Sequence, residues 1–276
     1  MGNNIESSIM IGCKSHPKYD NVFLLNGLQL SEDKPFYKYM CYDRLTNSIK
    51  AKELVFVSPV TWLDPFERRF WKTSFEKYNY QQPEIACMCV TNKSTTNEEA
   101  AWKMYADNKE KALRISFNRN TLLRVLDEYA KDNDCKIYIG EVIYTYNRKQ
   151  IIDLHNQVNP FFPNSSEFTD CHYLTLMCIK RKAFAFENEI RIFIVKRTLN
   201  WVGNLLKIPV VINNTLIPRI VIGPLSPFGC NDPRQEIYKE MQKAESVTYK
   251  RQLRNLIPNC DIIQSQLYIP SLLKEI

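Results

Sequence analysis

Residues 180–195 read KRKAFAFENEIRIFIV: a basic triplet, two phenylalanines, two glutamates one residue apart, and an apolar run. In an extended backbone, residues i and i+2 point to the same face. The spacing therefore predicts Glu187 and Glu189 side by side at the lip of a strand over 190–195, with Arg191 continuing their row. Ile190, Ile192 and Ile194 point the other way. Two adjacent acids at the mouth of a buried strand are costly unless solvated, paired or used in chemistry. The pair is the candidate active centre, and the rest of the chain is read outward from it.

A strand flanked by other apolar segments implies a folded core, and the composition supplies one. The 276 residues are 45% hydrophobic and 12% aromatic, enough for one large domain or two small ones and too apolar for wholesale disorder. No apolar run reaches the ~20 residues needed to cross a bilayer. The opening MGNNIESSIMIGCKSHPKYD lacks the basic start and apolar core of a signal peptide. The expected location is cytoplasmic, with no membrane partner. The nine cysteines are scattered and odd in number, and are expected as thiols, with Cys87 and Cys89 buried on one strand face. His16, His155 and His172 show no ligand spacing, so no metal is expected. The net charge of +7 gathers in Arg68-Arg69, Lys180-Arg181-Lys182, Lys196-Arg197 and Lys250-Arg251, which suits either a solvated surface or a polyanionic ligand.

Pattern and punctuation predict strands at 36–40, 54–57, 85–90, 112–117, 136–146, 190–195, 217–222 and 261–267. Helices are expected near 96–105, at 121–130, 173–180 and 233–245. Seven glycines leave no GxGxxG turn and no phosphate loop. The resulting expectation is α+β: a single domain over 35–276 around a mixed, strongly twisted sheet, with helices packed about it and an N-terminal extension at 1–34.

Several blocks occur together in one order: FYKYM, LVFVSPVTWLDPFE, ACMCVT, AWKMYAD, VIYTY and KRKAFAFENEIRIF. As a set, over roughly 35–267, they resemble a large bacterial family catalogued as domain-of-unknown-function family 2971. Lys38, Ser58, Pro59, Asp64, Pro65, Phe66, Glu67, Trp102, Tyr105, Lys180, Glu187, Glu189 and Arg191 match its signature. Leu63 and Phe184 depart from the usual Asn and Trp. The order of parts also resembles ADP-ribosyltransferases of the Glu-x-Glu type. That resemblance implies their fold, with NAD as substrate. Glu189 would stabilise an oxocarbenium-like centre and Glu187 would activate the acceptor. It further implies NAD contacts from Lys38, Tyr37, Tyr39, Ser58, Thr61, Trp102 and Tyr105, and an acceptor loop with Lys182, Phe184 and Phe186. A toxin or antiviral-defence effector follows by analogy, acting on nucleic acid or protein and restrained by an antitoxin or chaperone.

The same residues admit other readings. Glu187 and Glu189 can form ion pairs with Arg191, Lys180 or Lys182 on an exposed strand end. Residues 64–67 can be a helix cap and first turn with Pro65 at its first position. Trp102 and Tyr105 can be core residues. A magnesium-dependent nuclease would use Asp64, Glu187 and Glu189. A non-enzymatic basic module binding nucleic acid or a partner is the third class.

Overall fold

The apolar run after the acids forms strand β10 (Glu189–Lys196), and every residue from Glu189 to Val195 is buried. Ile190, Ile192 and Ile194 fill one face and Phe193 lies fully buried on the other. Such two-sided burial explains why the run is continuous rather than alternating. The computed structural model describes residues 12–31, 33–65, 67–68, 80–93, 100–102, 112–145, 169–224 and 235–265. The architecture is α+β, with a large, twisted, mixed sheet and a few helices. The chain divides into two compact units interleaved in sequence.

The first unit comprises residues 1–32, 55–90 and 123–208. Its strands include β1 (Cys13–His16), β2 (Tyr19–Leu25), β4 (Glu53–Val57), β5 (Glu84–Thr91) and β7 (Lys136–Glu141). They run in the order β1-β2-β7-β10-β5, with β4 beside β5. β7 pairs antiparallel with β10, placing Arg191 opposite Gly140 and Ile192 opposite Ile139. β2 adds to β7 in parallel, so residues 13–25, within the segment set apart as an extension, contribute two strands. The hairpin of β11 (Trp201–Val202) and β12 (Leu205–Pro209) turns at Gly203, whose φ of +63° favours glycine. It extends this order through β4 and was not anticipated. Helix α2 (Arg119–Asn133) presents Asp127 to β2, where its carboxylate accepts from the Asn21 backbone and side-chain amides.

The strand expected over 136–146 is broken. Val142 donates its N–H to the Glu189 carbonyl, and the next residues form β8 (Ile143–Thr145), parallel to β9 (Ile179–Arg181). One segment thus leaves β10 and joins the strand that carries Lys180. Helix α3 (Asp170–Met177) leads into β9, and its buried Tyr173, Leu174, Leu176 and Met177 pack with Ile85, Cys87 and Phe193. The expectation that every cysteine is a thiol fails: Cys13 and Cys171 form a disulfide, with Cα atoms 5.8 Å apart and a sequence separation of 158. No local spacing signals so distant a pair. Such bonds persist best in oxidising surroundings, which sits poorly with a cytoplasmic setting.

The second unit comprises residues 33–54, 91–122 and 209–276. It holds β3 (Phe36–Cys41), β6 (Ala112–Phe117), β13 (Arg219–Ile222) and β14 (Asp261–Gln264) in that order, the last pair parallel and the others antiparallel. Helices α1 (Tyr42–Ala51) and α4 (Gln235–Leu256) belong to it, and Tyr42 meets Tyr249 and Gln252 of α4. Helix α4 runs eleven residues beyond the expected end at 245. Among the described residues, no helix is long and apolar enough to cross a membrane.

Candidate functional site

The acids do not enter the site as the extended-strand argument predicts. Glu187 closes a 3-10 turn over Lys182–Glu187, and Asn188 adopts a left-handed conformation (φ 43°) before β10 begins. Only Glu189 and Arg191 share a strand face. Glu187 is brought back beside Glu189 by the turn, and the two carboxylates meet on one ammonium. Lys180 Nζ lies 2.6 Å from Glu187 Oε2 and 2.9 Å from Glu189 Oε2.

The centre is a buried charge network in the first unit. Arg191 is 1% exposed. Its Nε donates to Glu189 Oε1 at 2.8 Å, one terminal nitrogen donates to Glu67, and the other donates to the Met177 carbonyl. The guanidinium lies 4.2 Å from the ring centroid of Trp62. Lys180 is also 3.9 Å from Glu67 and 4.9 Å from the Phe184 ring centroid. Beside the network, Arg181 Nε donates to Asp64 at 3.1 Å, with its guanidinium 5.1 Å from the same ring. The ion pairs expected at an exposed strand end therefore form, but inside the protein. Such burial demands close pairing, because desolvating a charge costs several kcal/mol.

Three carboxylates face two cations, so the network cannot be neutral with all three ionised. Burial raises Glu189, but Arg191 and Lys180 overcome this and hold it well below the usual carboxylate range. Burial and the neighbouring Glu189 charge push Glu187 up to about 7, against the pull of Lys180. Burial pulls Lys180 down, and the three glutamates reverse this and keep it protonated. Glu187 is thus the group whose proton sets the charge of the centre. Its Oε1 is buried and has no hydrogen-bond partner among the described residues.

Local structure explains how the other residues arrive. Ser58 caps a short 3-10 turn (Pro59–Thr61), accepting from the Val60 N–H, while the Thr61 hydroxyl donates to the Ser58 carbonyl. Ser58 and Thr61 thus come together but serve the turn that delivers Trp62 and Asp64. Pro65, Glu67 and Arg68 are helical, and Arg68 donates to the Asp64 carbonyl, as the cap reading expects. Phe184 and Phe186 are half-buried and Lys182 is exposed on the turn before Glu187. Tyr144 stands opposite Lys180 in the β8–β9 register, and its hydroxyl oxygen accepts the Glu189 N–H at 2.9 Å.

Lys38, Tyr37, Tyr39 and Trp102 belong to the second unit. The β3–β6 register sets Tyr37 and Tyr39 on one face with Ser116 and Arg114, and Lys38 on the other with Ile115. Arg114 stacks over Tyr37, and Tyr39 meets Trp102 edge-on. Trp102 is 3% exposed, packed with Tyr39, Ala101, Ala112 and Val221 as a core residue. Tyr105 lies outside the described residues, as does the start of the helix expected near 96–105. Sequence reasoning missed Trp62 and Tyr144 as parts of the centre, although both lie in the quoted blocks. It matched Glu67 without giving it a partner. Among the described residues, no group of three or more His, Cys, Asp or Glu is disposed to hold a metal ion.

No family model matches the chain, and neither does any curated protein or solved structure. The resemblance to family 2971 and to ADP-ribosyltransferases therefore rests on the motif blocks alone.

Proposed function

We propose that the chain is an NAD-consuming enzyme of the ADP-ribosyltransferase type, in which Glu187 moves a proton and Glu189 supplies a fixed negative charge. The supporting observation is the divergence of the pair: Glu187 titrates at about 7 while Glu189 stays ionised. Carboxylates pushed apart in this way separate the acid–base role from the electrostatic one. A group titrating near the working pH is suited to general-base catalysis. With Glu187 deprotonated the network carries one excess negative charge, which favours a ribosyl centre developing positive charge. NAD supplies the ribosyl group and nicotinamide as leaving group. Phe184 and Lys182, on the turn that ends at Glu187, are assigned to the acceptor side.

The geometry favours proton transfer over a magnesium site, since Lys180 and Arg191 already hold Glu187 Oε2 and both Glu189 oxygens, and Arg181 holds Asp64. Membership of family 2971 and a role as a toxin or antiphage effector under a restraining partner belong to the same proposal, by analogy. The test is incubation of the full chain with NAD and bacterial lysate. Release of nicotinamide, with ADP-ribose appearing on protein or nucleic acid, is expected and should be lost in Glu187→Gln and Glu189→Gln. Intact NAD after prolonged incubation refutes the reading. Magnesium-dependent strand cutting would move the assignment to a nuclease.

A further inference from the structure

Two hydrogen-bonding groups of the centre are left over once its internal bonds are made. Glu187 is 7% exposed, and among the described residues its Oε1 has no hydrogen-bond partner while Oε2 is held by Lys180. The Tyr144 hydroxyl uses its oxygen to accept the Glu189 N–H, which leaves its own proton to donate. Tyr144 sits beside Lys180 across the β8–β9 pair, and Lys180 grips Glu187, so one lysine links the residue with the spare donor to the residue with the spare acceptor. Buried polar atoms of this kind carry a cost that a complementary ligand removes.

We infer that this pair receives a hydroxyl group, and that the acceptor in the proposed transfer is a ribose hydroxyl of RNA. The inference rests on the transferase reading above. A hydroxyl both donates and accepts, so it can give its proton to Glu187 Oε1 while taking one from Tyr144. A guanidinium or ammonium acceptor offers donors only, and would bring a third cation toward Lys180 and Arg191. The exocyclic amines of bases likewise offer no acceptor to match the tyrosine proton. RNA rather than protein follows from charge: the chain carries +7, Lys182 is exposed on the turn before Glu187, and the Arg181 side chain is 43% exposed. In the step, the hydroxyl proton passes to the ionised Glu187 carboxylate. The hydroxyl oxygen bonds to the anomeric carbon of the nicotinamide ribose. The N-glycosidic bond breaks, its electron pair leaving on the nicotinamide nitrogen.

The experiment incubates the full chain with NAD labelled in its ADP-ribose part and one of three acceptors. These are an RNA oligonucleotide, the same RNA with every ribose 2′-O-methylated and both ends phosphorylated, and the corresponding end-phosphorylated DNA. Label on the first RNA alone, mapped to ribose by nuclease digestion, is the expected result. Tyr144→Phe should lower that labelling roughly tenfold or more, as removal of a hydrogen-bond donor to a reacting group does, in a variant that still unfolds cooperatively although the Glu189 N–H has lost its acceptor. Should the variant fold poorly, the methylated RNA tests the same point from the substrate side. Label on DNA, on methylated RNA or on lysate protein overturns the hydroxyl inference and leaves the transferase standing. So does nicotinamide release without labelled RNA. No nicotinamide release in any arm overturns both.

Discussion

Replacing Glu187 by Gln removes the proton that sets the charge of the buried centre, and the consequence for stability has a definite sign. The folded-state value for Glu187 is about 7, against 4.5 for an ordinary glutamate. Between those two values the folded chain binds more protons at this residue than the unfolded chain. Its contribution is therefore fully present below pH 4.5 and declines as pH rises to about 7. At about 1.4 kcal/mol per pH unit, that interval is worth up to about 3 kcal/mol. Glu189 runs the other way: its stabilisation is present above the ordinary carboxylate range and fades only well below pH 4.5. Across pH 5–8.5 the two effects separate, because Glu189 remains ionised throughout. Urea unfolding of wild type and Glu187→Gln should be compared at half-unit steps over that range. The difference between the two stability curves isolates Glu187 from every other titrating group. Wild type should lose up to about 3 kcal/mol relative to the variant between pH 5 and pH 8. Parallel curves, agreeing to about 0.5 kcal/mol, would show that Glu187 is not held protonated and would remove the basis of the general-base role proposed for it.

Two further perturbations probe the network around it. Arg191→Met strips Glu189 and Glu67 of their shared guanidinium and the Met177 carbonyl of its donor. Breaking a buried pair on one side costs about 3–5 kcal/mol, so chemical denaturation should show a loss of that size, and a change below about 1 kcal/mol would mean the network is solvated. Asn188 holds φ at 43° between the two acids. Asn188→Gly should retain both fold and nicotinamide release. Asn188→Val should lose about 1–2 kcal/mol and move the pH midpoint of activity, because the turn delivers Glu187 to Lys180; an unmoved profile in a folded Val variant refutes that role for the turn.

Part of this arrangement is legible in one dimension. Strand β10 was readable because its apolar residues are contiguous and end at charged ones, and α2 because its pattern and flanking polar residues are local. Residues 64–68 carried a helix start in the proline itself, whose fixed φ suits the first helical position. The break at Val142 was not readable. Residues on both sides are β-formers, and the switch from β10 to β9 depends on the Glu189 carbonyl and on where β9 lies. The hairpin of β11 and β12 and the strands β1 and β2 were missed for a similar reason, since short strands gain their stability from neighbours rather than from propensity.

From the residues alone came the α+β class, the identity of the two acids as the unusual feature, and the strand that follows them. These depend on period, composition and local geometry, which short stretches encode. Tertiary structure decided what surrounds the acids. Glu67 lies 124 residues from Arg191 and Asp64 lies 117 from Arg181, yet each forms a direct ion pair. Whether a carboxylate is a surface ion pair or a buried acid titrating near neutrality depends on desolvation and on the count of cations facing it. Both are properties of packing between distant segments, so Glu187 and Glu189, two residues apart in sequence, acquire opposite electrostatic characters only when the chain has folded.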